Sequence, residues 1–268
     1  LDTAAKSGVQ NVYYHRIGTP QSDDGLFYQN PAQPLRFYGV GLNDEEPLMF
    51  LTESGMDQGY NLYVRDLRVA DSQLIQMTAD ASKTYSPVEM IGDSIYILTN
   101  QGAPRYRLMV ADVRKPGMTD WHEVVGEQDG VLQDVLFLPA DRMILTYSKD
   151  NCTEAWLYSV KGERLSRIEL PTFGSASFSG SRKQDECFFS FTSYTVPTTI
   201  YRFDPATGKS QVESQPKVNV RLNDYTTEMV FCTSKNGTKV PLFLTYRKGL
   251  KRNGKNPVLL YGSGGFHI

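Results

Sequence analysis

A serine hydrolase needs a Gly-x-Ser-x-Gly elbow followed by an acid and a histidine. The nearest approach in this chain is Phe173-Gly-Ser-Ala-Ser-Phe-Ser-Gly180, whose glycines do not flank a serine at that offset. The segment reads as a turn between strands, with Ser175, Ser177 and Ser179 bonding local backbone. The histidines are scattered: His15 on a strand among tyrosines, His122 after Trp121 in an expected loop, and His267 after Phe266. None has the convergent donors a metal site requires, so no metal and no cofactor is expected. Cys152, Cys187 and Cys232 are an odd count without Cys-x-x-Cys spacing, which indicates thiols in or near the core rather than a disulfide framework or zinc site. One feature stands apart. Val258, Leu259, Leu260 and Tyr261 form a continuous apolar run, read as a strand covered on both faces, and it leads into Gly262-Ser-Gly-Gly-Phe266, where the glycines let the backbone approach something closely.

The elements that would position these residues are strands. Short segments rich in Tyr, Phe, Val, Ile and Thr alternate with Gly, Asn, Asp and Pro clusters, the pattern of an antiparallel all-β array. One unit recurs, as Asn61-Leu-Tyr-Val-Arg-Asp-Leu67, Arg107-Leu-Met-Val-Ala-Asp-Val113, Ala155-Trp-Leu-Tyr-Ser-Val-Lys161 and Thr199-Ile-Tyr-Arg-Phe-Asp-Pro205. Aligning Leu62, Leu108, Leu157 and Ile200 gives steps of about 46, 49 and 43 residues, the period of propeller blades. Such blades bury both faces only by stacking radially. Asp66, Asp112 and Asp204 recur at equivalent positions, which predicts strand-end hydrogen bonding rather than catalysis. Strands near Val12 and Leu26 add part of a further blade. Beyond Pro216 the pattern changes: strands over 227–233 and 240–246 flank Asn236-Gly237, a strong hairpin signal, and Pro241 pushes the second strand towards a sheet edge.

Bulk properties exclude several functions. Lys+Arg 28 against Asp+Glu 30 gives a net charge of -2, which argues against a nucleic-acid or anionic-membrane surface. The basic stretch Arg247, Lys248, Lys251, Arg252 and Lys255 lies among turn residues and reads as a solvated loop. No apolar stretch reaches the ~18 residues of a membrane span, and no secretory signal opens the sequence.

Tyr261-Gly-Ser-Gly-Gly-Phe266 resembles the Tyr-Gly-Tyr-Gly-Gly-Phe stretch at the first core strand of the catalytic domain in the prolyl oligopeptidase family. Phe231 to Leu244 with Lys248-Gly-Leu-Lys251 is similar to the family's approach to that domain. Val12 to Asp24 and Leu98 to Leu108 resemble its propeller segments. The resemblance implies a mainly β chain: a partial β-propeller of about four to five blades over 1–215, then the first strands of an α/β-hydrolase domain over 216–268, with an open or partner-closed ring. It further implies an internal fragment, inactive alone, of a serine endopeptidase that cleaves short peptides after proline. Its partners would be proline-containing peptides and the missing portions of its own parent chain. The compartment would be cytoplasmic, with periplasmic as the alternative. In the family the second tyrosine of the stretch donates to the oxyanion and the phenylalanine walls the proline pocket. Phe266 retains the substrate-binding role, whereas Ser263 occupies the tyrosine position and is too short to reach as a phenol does. Two rivals remain open: an oligopeptidase B-like enzyme cutting after Arg or Lys, and a non-enzymatic propeller that binds peptides or proteins.

Overall fold

The computed structural model describes residues 10–42, 47–55, 59–78 and 80–262. Four antiparallel four-stranded sheets follow one another along the chain. Blade I contains β3 (Phe37–Leu42), β4 (Leu48–Ser54), β5 (Tyr60–Asp66) and β6 (Ile75–Gln76), and blade II contains β7 (Tyr85–Ile91), β8 (Ser94–Thr99), β9 (Arg107–Asp112) and β10 (His122–Val125). Blade III is built from β11 (Val131–Leu138), β12 (Arg142–Lys149), β13 (Cys152–Ser159) and β14 (Arg164–Ile168). Blade IV is built from β15 (Ser175–Ser181), β16 (Gln184–Thr192), β17 (Thr199–Asp204) and β18 (Lys209–Ser214). In each blade every strand pairs with the next in sequence. A hairpin of β1 (Val12–Tyr14) and β2 (Gly25–Tyr28) precedes blade I, and a hairpin of β19 (Tyr225–Thr233) and β20 (Lys239–Arg247) follows blade IV. Leu62, Leu108, Leu157 and Ile200 all fall on the third strand of their blade, so the repeat in the sequence is a repeat in space.

Strand periodicity explains the packing. Along β8, Ile95 and Ile97 point to blade I and join Leu48, Leu62 and Val64, while Tyr96 and Leu98 point to blade III and join Val135, Phe137 and Leu145. Along β12, Met143 and Leu145 face blade II, and Ile144 faces Phe178, Phe189 and Phe203 of blade IV. A central strand buried on both faces needs a continuous apolar run, which is why Ser94–Thr99 reads Ser-Ile-Tyr-Ile-Leu-Thr. Burying one such side chain stabilises by ~1.5–3 kcal/mol, so each of the three interfaces is a core in its own right. The principal contacts between blades join I to II, II to III and III to IV.

Several expectations are corrected. Phe173 to Gly180 is not a turn: Ser175–Ser181 is strand β15, with Phe178 buried and Ser175, Ser177 and Ser179 exposed, because Ser-x-Ser-x-Ser is the two-residue period of a strand with one polar face. His122 opens β10 rather than lying in a loop, and His15 follows the end of β1. Of the cysteines, Cys187 is buried and Cys152 half-buried, but Cys232 is exposed, since no sheet among the described residues packs on its face of the β19–β20 hairpin. Residues 258–261 form no strand; their side chains are 85%, 93%, 84% and 83% exposed. A strand of that kind is held by neighbouring strands and covering helices, and none of the described residues provides them.

The turn between β13 and β14 seals the interface of blades II and III. Gly162 has φ +89°, and a Cβ there would lie 1.9 Å from the Val124 carbonyl oxygen of β10. Gly208, in the matching turn of blade IV, has φ +70° with nothing within 4 Å. Both Gly→Ala changes incur left-handed strain of ~1 kcal/mol or more. Gly162→Ala must also push two blades apart. In urea unfolding, Gly162→Ala is expected to lose at least ~2 kcal/mol more than Gly208→Ala, and equal losses would show that the turn does not seal the interface.

Candidate functional site

Up-and-down connectivity gives each blade two kinds of end. Turns between first and second strands and between third and fourth strands lie at one end of the propeller; the other carries the second-to-third loops and the crossovers between blades. The first strands are innermost, β7 against β11 and β11 against β15. At the first end a cavity of about 620 Å³ opens between β3 and β7, lined by Val40, Leu42, Phe50, Val88 and Glu89, with Lys183 reaching in from the β15–β16 turn. Beside it, Arg182 of that same turn crosses from blade IV to blade II, donating from Nη2 to the Met90 carbonyl at 3.2 Å and placing Nε 3.7 Å from the Glu89 carboxylate. The inner strands thus border a cavity of mixed polar and apolar lining with a charged bridge beside it. Nothing in the alternation of β7 or β15 signals that bridge, because Arg182 lies in a turn, where polarity is expected anyway, and Glu89 follows a break in the register of β7 after Pro87.

At the opposite end a buried carboxylate fastens the β1–β2 hairpin to blade I. Glu53 is 2% exposed. It accepts from Asn30 Nδ2 at 2.6 Å and from the Tyr63 hydroxyl at 2.7 Å. The Tyr28 ring sits 5.4 Å from Tyr38 and 5.7 Å from Tyr63. Burial, helped by hydrogen bonding to Tyr28 and Glu53, pushes the Tyr63 phenol far above its ordinary value, so it remains a donor. Sequence reasoning misses Glu53, although a signal exists: the period of two places it on the same face of β4 as Met49 and Leu51.

No catalytic constellation exists among the described residues. The one histidine–carboxylate contact there, His15 Nδ1 to Asp24 Oδ1 at 2.6 Å, sits in the exposed β1–β2 connection without a serine or cysteine bonded to the ring. Ser175, Ser177 and Ser179 lie on β15, away from any histidine partner. Burial pushes the Cys187 thiol up to about 11 and raises that of Cys152, which makes both poor nucleophiles. No group of three His, Cys, Asp or Glu side chains that could hold a metal occurs among the described residues, and no helix there is long and apolar enough to cross a membrane. Ser263 and Phe266 lie outside the described residues.

The repeated aspartates do what their position predicts. Asp112 accepts from the Arg114 backbone N–H at 2.8 Å and from its guanidinium at 2.9 and 2.7 Å, and Asp66 repeats the arrangement with Arg68. Asp204 accepts from the Ala206 N–H and the Thr207 hydroxyl. Arg68 and Arg114, from blades I and II, also converge on Asp93 at 2.8 and 3.5 Å. These are turn fasteners.

An array of up-and-down blades packed face to face around inner strands, with no hydrolytic or metal chemistry among its described residues, is a β-propeller. The chain belongs to the prolyl oligopeptidase family: residues 2–216 match the prolyl oligopeptidase N-terminal β-propeller domain. It is 33% identical over 258 residues to a prolyl endopeptidase of Elizabethkingia meningoseptica, covering 96% of this chain and 36% of that protein. It superposes on a solved prolyl endopeptidase with a TM-score of 0.82 at 30% identity, covering 94% of this chain and 37% of the other. It superposes also on Galerina marginata prolyl oligopeptidase B bound to a 35mer hydrolysis and macrocyclization substrate, with a TM-score of 0.80 at 25% identity, covering 90% and 35%. The chain therefore spans little more than a third of the length of these relatives.

The arginine contacts make the turn aspartates acid-sensitive. Hydrogen bonding from the Arg114 side chain holds the Asp112 carboxyl down at about 2, against 3.8 for an unperturbed aspartate. A carboxyl depressed by folding contributes stability that is fully present above its unfolded value and is lost as pH falls through the folded one. Asp112→Asn should therefore be less stable than wild type at neutral pH, with the gap closing between about pH 4 and pH 2. Thermal melts across that range check this, and a gap constant with pH would remove the carboxylate from the account.

Proposed function

We propose that this chain is the propeller-bearing part of a serine-type prolyl endopeptidase. Residues 1–215 form the propeller, and 216–268 form the start of the peptidase domain. The observation that carries the reading is the order of parts: blades matching the family's propeller domain, then the β19–β20 hairpin, then Tyr261-Gly-Ser-Gly-Gly-Phe266. In this reading the propeller covers the active site and admits short proline-containing peptides while excluding folded proteins. Its partner in the cell is the remainder of its own polypeptide, which brings the serine, aspartate and histidine. Three cysteines with no bridge between them suit a reducing cytoplasm.

Two residues of this chain then serve the reaction. Phe266 walls the pocket for the pyrrolidine ring, where an apolar aromatic surface suits a ring with no donor to satisfy. Ser263 stands where the family places a tyrosine that donates to the oxyanion. Such a donor must come within ~2.7–3.1 Å of the developing charge, and its loss costs ~2.7–4 kcal/mol of transition-state stabilisation.

The chain by itself should release no chromophore from a chromogenic Gly-Pro amide, and activity that survives repurification would contradict the assignment. In the whole protein, Phe266→Ala should lower kcat/KM for proline substrates while leaving Tm nearly unchanged. Ser263→Tyr should raise kcat by up to ~10²-fold with little effect on KM, because the added hydrogen bond forms mainly in the transition state. A slower tyrosine variant with its fold intact would mean that another donor serves the oxyanion. If neither form cleaves a proline peptide yet both bind one, the chain belongs to a binding module.

A further inference from the structure

Two Asn-Gly pairs lie seventeen residues apart in the chain, Asn236-Gly237 and Asn253-Gly254. Both are exposed, and both glycines adopt left-handed φ, +87° and +75°. Both asparagines bend the chain in the same way, Oδ1 accepting the backbone N–H two residues on: Thr238 at 3.1 Å and Lys255 at 3.0 Å. That hydrogen bond withdraws electrons from the amide carbonyl and leaves its carbon more open to attack. The nearest nucleophile is the backbone nitrogen of the following glycine, which has no side chain to hinder the approach.

The two sites differ at this nucleophile. The Gly237 N–H is committed to the Ser234 carbonyl at 3.0 Å, in a hairpin closed further by Ser234 N–H donating to Thr238 O at 2.9 Å. The paired strands β19 and β20 hold that tip from both sides. Gly254 N–H has no hydrogen-bond partner among the described residues, and no strand flanks it. Lys251, Arg252 and Lys255 flank Gly254 in the chain, Arg252 being paired with Glu228, against Lys235 and Lys239 flanking Gly237. Nearby cations favour the anionic nitrogen and the oxyanion it forms.

We propose that Asn253 is a site of spontaneous covalent modification, and that the β19–β20 hairpin protects Asn236 from the same reaction. The Gly254 nitrogen gives up its proton and attacks Asn253 Cγ. The new N–Cγ bond forms as the Cγ–Nδ2 bond breaks, and Nδ2 leaves as ammonia, carrying the proton. Water then opens the five-membered imide at either carbonyl, giving aspartate or a β-linked isoaspartate that carries one extra methylene in the main chain. No oxidant, enzyme or cofactor is required. Either product sets a carboxylate among Lys251, Arg252 and Lys255, and the β-linked form redirects the backbone just before Pro257. The inference is independent of the proposed peptidase function.

The test incubates the intact folded chain in mildly alkaline buffer and follows both sites by peptide mapping with mass spectrometry. Enzymatic methyl transfer marks the β-linked product. Asn253 should convert several-fold faster than Asn236, whose reaction waits on opening of the hairpin tip. In urea the two rates should converge. Ser234→Ala, which removes a side-chain donor to Asn236 Oδ1, should leave the Asn253 rate unchanged, and Asn253→Ser should abolish the signal at that peptide alone. Equal rates in the folded chain, a faster Asn236, or no β-linked product at Asn253 would overturn the proposal.

Discussion

Every blade is a four-stranded sheet whose middle strands carry apolar residues on both faces, and no blade can cover both by itself. That constraint organises the rest. The middle strands must be apolar on both sides, as in Ile95, Tyr96, Ile97 and Leu98, and such strands gain stability only when the next blade arrives. Polarity is then displaced to the strand ends. There it becomes the turn aspartates and Arg182, in the turn between β15 and β16. The fold and the placement of its chemistry thus follow from a single burial requirement.

The blades are legible in the sequence because they repeat. Leu62, Leu108, Leu157 and Ile200 recur at blade spacing since each sits on the same strand of its sheet, and Asp66, Asp112 and Asp204 recur since each closes the same kind of turn. Contacts that occur once between distant parts of the chain are not legible. Arg182 reaches Glu89 and Met90 across about ninety residues of chain, a separation at which no periodicity operates. The β15 strand reads as a turn because glycine and serine are the usual punctuation of loops. Phe178, alternating with those serines, is the correcting signal.

The Glu53 site shows how composition misleads and position informs. A glutamate near a strand end reads as solvated, yet the inward register of β4 and the three tyrosines around it make the site a polar joint between the β1–β2 hairpin and blade I. A buried carboxylate held by neutral donors contributes little net stability, because its desolvation offsets much of what the hydrogen bonds return. What it contributes is geometry. Asn30 and Tyr63 must both reach it, which fixes the angle at which the hairpin meets the blade.

The hairpin and tail after blade IV obey a different rule from the blades. β19 and β20 carry apolar residues on both faces, as the middle strands of a blade do, yet none of their residues is fully buried, and residues 258–261 expose an unbroken apolar run. In blades II and III, apolarity on two faces is met by a neighbouring blade on each side; in the hairpin, one face meets Tyr194 at Phe243 and lies near Cys152 at Met229, while on the other Arg252 covers Tyr246 and pairs with Glu228. Blades II and III and the segment after blade IV thus part company at the second face, which a neighbouring blade covers in the propeller and which no second sheet among the described residues covers beyond it.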